Sequence, residues 1–367
     1  MPHPFKAKYL LRAMSLKDLR TSLAISLLFW GISGSMSGSI SGSIELLAHP
    51  QAVHSQLLAQ LPTQVKAESV SQFKAHPTSV LSVSFSPDGS QLLTTSSEGS
   101  TKIWDRQGKE VIEIKTDDSI IWNATFSPDG KSIATGAQDK IARIWSIDGK
   151  SIQELKGHKD WVNTVRFSPD GQKILTSSSD GTARLWDLKG KVITEFKGHL
   201  VMVWCAIFSP DGQKILTASS DGTARLWDLN GKELVQFKGH RDWVRSVAFS
   251  PDGKLIATVS SDKTTKLWDL NGKELVQFKG HTGAVRNVSF SPDGKYLATT
   301  SQDGTARLWD LRGNQLALFQ GHQDWVIGLS FSPDGKYLAT SSADFMVRFW
   351  SLPSNTLSQG KGNKTGI

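Results

Sequence analysis

Nucleophile–base pairs are built from serine, threonine, histidine and aspartate, and binding hot spots most often from tryptophan and arginine. The chain is well supplied with these residues: nine histidines and thirteen tryptophans, but one cysteine. His3, His49 and His54 precede residue 67, while His76, His158, His199, His240, His281 and His322 share one position of a repeated unit. No histidine of the repeats is therefore spare for a general base or a metal ligand. The tetrapeptide Ser-Pro-Asp-Gly occurs seven times, as turns do and active sites do not. No catalytic residue, metal site or small-molecule cofactor is expected, and a non-enzymatic role follows. Cys205 stands alone, which excludes an intrachain disulfide and a cysteine-cluster metal site.

Tryptophan points to binding instead. Trp104, Trp145, Trp186, Trp227, Trp268, Trp309 and Trp350 lie on a regular grid, and Trp30 lies near the start of the chain. The other five, Trp122, Trp161, Trp204, Trp243 and Trp325, fall in one short window just after the Gly-His position or its Asp117 equivalent.

The grid that positions these residues has a period of 41. Ser-Pro-Asp-Gly begins at Ser86, Ser127, Ser168, Ser209, Ser250, Ser291 and Ser332, with no insertion between copies. A period of this size signals a repeat architecture in which one unit cannot bury both its faces alone. In the third unit, turn residues separate four short runs. Residues 161–167 alternate in character, and Pro169-Asp170-Gly171 turns into 173–178. Asp180-Gly181 then turns into 182–186, and Lys189-Gly190 into 192–196. Asn230-Gly231 and Asn271-Gly272 are strong hairpin signals. Each unit is thus a four-stranded antiparallel meander. Seven equal sheets, each with two faces to bury, suit a closed all-β ring. Residues 67–73 match an outer strand that residues after Trp350 lack, so they are expected to complete the last sheet and lock the ring.

Over residues 67–352 the chain closely resembles the Trp-Asp (WD) repeat β-propellers, in a near-consensus bacterial style. The resemblance implies a seven-bladed propeller in which a His, a Ser or Thr, an Asp and the Trp form a buried hydrogen-bonded chain in each blade. The corresponding sets are His158, Thr176, Asp180 and Trp186; His199, Thr217, Asp221 and Trp227; and His240, Thr258, Asp262 and Trp268. They continue with His281, Thr299, Asp303 and Trp309, and with His322, Thr340, Asp344 and Trp350. Trp offers only a donor, Thr relays, His does both and a carboxylate accepts, so the set can be fully paired. Blade one departs from it with Glu98 for Asp beside His76, Thr94 and Trp104. Blade two places Asp117 where His should be, facing Asp139 near Thr135 and Trp145, and is expected to be the least protected blade.

In the family, the window holding the five extra tryptophans opens on the top face around the central channel. The matching positions are Ser79, Ile120, Trp161, Met202, Trp243, Ala284 and Trp325. Two residues on they are Leu81, Trp122, Asn163, Trp204, Arg245, Arg286 and Ile327. Trp122, Trp161, Met202, Trp204, Trp243, Arg245, Arg286 and Trp325 are accordingly expected to bind a protein or peptide. The alternative is a carbohydrate, with Asp160, Asp242 and Asp324 as rim acceptors.

The net charge of +8 is uneven: residues 1–66 carry +4 and residues 353–367 carry +2, leaving +2 on the repeats. That balance gives no support for nucleic-acid binding. Residues 1–20 are basic, and 21–44 are uncharged and partly apolar. This pattern describes a signal peptide, better still if translation starts at Met14, or else a membrane anchor through residues 21–44. Either places the propeller on the periplasmic side; an intracellular, cytoplasmic protein with a sticky leader is the alternative. Residues 45–66 read as a connector and 353–367 as a disordered tail.

Overall fold

The computed structural model describes residues 65–67, 69–115 and 119–352, and every regular element in them is a β-strand. The leader, most of the connector, Asp117 and the tail lie outside the described residues, as do the readings made of them.

Each blade is an antiparallel meander that begins beside the ring axis and steps outward. Blade three runs Val162–Phe167, Lys173–Ser178, Ala183–Asp187 and Val192–Phe196, in that spatial order. The Ser-Pro-Asp-Gly turns make the first hairpin tight. In blade three the Ser168 hydroxyl donates to Asp170 Oδ1 at 2.5 Å and accepts the Lys173 amide at 2.9 Å. Gly171 supplies the positive φ of +69° that a side chain would resist.

Packing closes the ring. Seven apolar clusters lie at the seven junctions between neighbouring blades. One typical cluster sets Ala134, Ile144 and Leu155 of blade two against Val162, Ile174 and Trp186 of blade three. The junction between the last and first blades has the same composition, with Val347 and Phe349 against Val80, Leu92 and Trp104. Ser69–Lys74 pairs antiparallel with Met346–Ser351, so the chain's early strand completes the last blade. One strand was not foreseen: Val65–Ala67 runs parallel to Gln315–Gln320, giving blade six a fifth strand. The early segment thereby bridges two blades.

Candidate functional site

Behind the top face, blades three to seven each hold a continuous hydrogen-bonded chain. In blade three the Trp186 Nε1–H donates to Thr176 Oγ1 at 2.8 Å. Thr176 meets His158 Nε2 at 2.7 Å, and His158 Nδ1 meets Asp180 Oδ2 at 2.9 Å. The proton positions follow from the partners. Trp can only donate, so the Thr hydroxyl spends its own hydrogen on Nε2, and Nδ1–H donates to the carboxylate. The sets His199, Thr217, Asp221, Trp227; His240, Thr258, Asp262, Trp268; His281, Thr299, Asp303, Trp309; and His322, Thr340, Asp344, Trp350 repeat this geometry.

Asp, His and Thr in this order match the parts of a hydrolytic triad. Here Thr176 is 0 % exposed and already accepts the indole N–H, so no substrate reaches its oxygen. The chain positions the loop instead: Asp180 Oδ2 also accepts the Lys159 amide at 2.9 Å, and Oδ1 accepts the Thr182 hydroxyl at 2.6 Å. Burial raises the Asp180 pKa, but the bonds from His158 and Thr182 outweigh it and hold the carboxyl below the usual range. Burial lowers the imidazole pKa of His281 and His322 against the opposing pull of Asp303 and Asp344.

Blades one and two depart. In blade one, Ser100 enters between the ring and the acid: its hydroxyl is 2.9 Å from His76 Nδ1, while Glu98 Oε1 stands 3.6 Å away. Burial, aided by Lys102, pushes His76 down to about 3. In blade two the Trp145 indole still donates to Thr135, but Asp139 pairs with Arg143 at 2.6 Å.

The first strand of every blade then carries the same irregularity. Val162 pairs with Ser178 and Thr164 with Ser177, so Asn163 is skipped; equivalent shifts occur in all seven blades. The skipped residues are Leu81, Trp122, Asn163, Trp204, Arg245, Arg286 and Ile327. A bulge re-aims the extra side chain, and here it does so at the ends of the strands remote from the Ser-Pro-Asp-Gly turns. Nothing in the alternation of these residues signals it.

The aromatic residues couple across blade junctions. Trp122 stacks on Trp161 at 5.5 Å and 27°, and Trp204 lies 6.1 Å from Trp243. The Arg245 guanidinium sits 4.7 Å from the Trp204 ring and 4.5 Å from Trp243. The Arg286 guanidinium lies 5.8 Å from the Trp325 ring, and among the described residues no carboxylate is within ion-pair distance of it. Trp122, Trp161, Met202, Trp204, Trp243, Arg245 and Arg286 are half-buried, whereas Trp325 is 47 % exposed. Asn163 is buried and donates to the Val203 carbonyl, tying blade three to blade four. Asp160, Asp242 and Asp324 each spend Oδ1 on the amide of the following tryptophan.

Three apolar residues at this end escaped the sequence reading. Leu200 is 85 % exposed and Val201 45 %, where blade three has Lys159-Asp160. Phe345 occupies a turn position held by Gly99, Gly181, Gly222 and Gly304 in other blades; its φ is +73° and it is partly exposed. All three break the repeat, which was the signal available in the sequence.

The comparisons agree with this architecture. A family model described as IFT122 first beta-propeller matches residues 121–367, and one described as WD domain, G-beta repeat matches residues 67–105. No curated protein matches the chain. Propellers of this kind generally serve as non-catalytic scaffolds for protein interaction. With seven four-stranded repeats closed in a ring and these matches across them, the chain belongs to the WD-repeat β-propeller family.

Proposed function

We propose that this propeller is a scaffold whose top face binds a protein or peptide segment that combines apolar and acidic side chains. One observation carries the reading: exposed apolar residues and a cation with no acid at ion-pair distance among the described residues share one end of the ring. Trp325, Leu200, Val201 and Phe345 supply the apolar surface, and Arg286 beside Trp325 supplies the charge. Exposed aromatic and arginine side chains dominate protein hot spots, and an unpaired guanidinium favours a carboxylate partner. A carbohydrate draws less support, because the indoles of Trp122, Trp161, Trp204 and Trp243 spend faces on one another and the rim aspartates cap their own backbone.

Selection from a random peptide library on the purified protein tests the proposal. Enriched peptides should hold Asp or Glu next to apolar residues, and should bind at least about tenfold more weakly to Trp325→Ala and to Arg286→Gln, a loss of ~1.4 kcal/mol or more. Binding indifferent to both substitutions contradicts the reading. The basic and apolar order of residues 1–44 supports export or membrane anchorage of the scaffold, a separate proposal that N-terminal sequencing of the mature chain addresses.

A further inference from the structure

The first strands enclose an axial cavity of about 600 Å³, within the size range of small-molecule sites. Its lining includes the prolines of all seven turns, so it opens on the face opposite the tryptophans. The walls are apolar, hydroxyl and amide groups, and among the described residues Arg166 is the single charged side chain in them. Arg166 Nη1 donates to Asn123 Oδ1 at 2.5 Å and to the Val165 carbonyl at 2.9 Å. Its other N–H groups have no acceptor, and no carboxylate is within ion-pair distance, among the described residues. The neighbouring Cys205 brings no counter-charge, because burial pushes its thiol pKa up.

Two amides add donors. The Val165 amide donates to Asn123 Oδ1 at 3.2 Å and the Val288 amide to Asn287 Oδ1 at 2.8 Å. A backbone N–H requires an oxygen opposite it, so both side chains are fixed with oxygen toward the backbone. Their Nδ2 groups, without acceptors among the described residues, remain as donors in the cavity wall. A guanidinium stays charged at any ordinary pH, and Arg166 is half-buried with N–H groups facing the cavity, so an anion there would find charge-assisted donors. None of the seven turn aspartates belongs to the lining; they stand outside it, where their field opposes an anion's entry and weakens its binding.

We propose that the axial cavity is a binding site for a small oxyanion, held by Arg166 with the Asn123 amide as a further donor. The site is independent of the top-face reading. Titration calorimetry with inorganic phosphate and, separately, sodium acetate, each against sodium chloride of equal ionic strength, tests it and distinguishes a phosphate-type from a carboxylate-type ligand. Saturable binding of either anion is expected for the wild type. It should weaken at least about tenfold in Arg166→Gln, persist in part in Arg166→Lys, and stay unchanged in Lys173→Gln on the turn face. Absence of saturable binding of both anions, or equal binding by Arg166→Gln, overturns the proposal. Selenate soaked into crystals of the wild type gives a second test that needs no variant. An anomalous peak within hydrogen-bond distance of Arg166 supports the site, and peaks only elsewhere overturn it.

Discussion

At the turn end of the ring all seven repeats carry Ser-Pro-Asp-Gly, and each serine bonds its own aspartate in the same way. At the top end the equivalent positions hold Ser79, Ile120, Trp161, Met202, Trp243, Ala284 and Trp325. The same strands connect the two ends, so the difference does not come from the demands of the sheet. Uniformity marks what every blade needs in order to form its first hairpin. Divergence marks positions released from that demand, and in blades three to seven a buried Asp–His–Thr–Trp chain already holds the loop. Trp325, Leu200, Val201 and Phe345 are exposed at this end and Arg286 lies beside Trp325, which is the physical argument for placing recognition there.

Acid should separate the two ends most strongly. At the top end of blade one, His76 has its pKa lowered from 6.5 to about 3 by burial and then by Lys102. The unfolded chain therefore binds the proton more readily, and the stability that the neutral imidazole contributes is full above about pH 6.5 and lost as pH falls toward 3. At the turn end, the Ser86 hydroxyl and the Ser90 amide and hydroxyl hold Asp88 at about 2, so its contribution is present above about pH 3.8 and lost only as pH falls toward 2. Amide exchange at pH 4, corrected for intrinsic rates, should show residues 76–80 and 94–100 losing protection while residues 86–91 keep theirs relative to pH 7. Equal loss at both ends would erase the predicted order.

A smaller effect is expected at Phe345. An aromatic residue at φ +73° is strained where four other blades use glycine. Phe345→Gly should raise stability by about 1 kcal/mol in urea unfolding, despite the extra freedom of the unfolded chain, and should weaken peptide binding. Unchanged stability together with unchanged binding would mean that the phenyl group serves neither end of the argument.

Much of the architecture was legible because the period is unbroken: blade number, turn positions and the closing role of the early strand all follow from counting. Features that depend on neighbours in space were not. The bulge at Asn163 and its equivalents is invisible in a run that alternates normally. The pairing of Trp122 with Trp161 depends on the spacing of blades around the ring. Ser100 displaces Glu98 from His76 because one added methylene misplaces the acid, a matter of side-chain conformation that the residue types leave open. The three residues Val65–Ala67 carry no pattern that would assign them to blade six. Leu200, Val201 and Phe345 were within reach, since each stands where the other repeats agree on something else.

The most direct test is the hydrogen-exchange footprint of a library-selected peptide on the wild-type protein. Protection is predicted for the top-face loops at residues 159–163, 200–204 and 323–327, with no change in the seven Ser-Pro-Asp-Gly turns. Protection of those turns, with the tryptophan loops exchanging as in the free protein, would contradict the account.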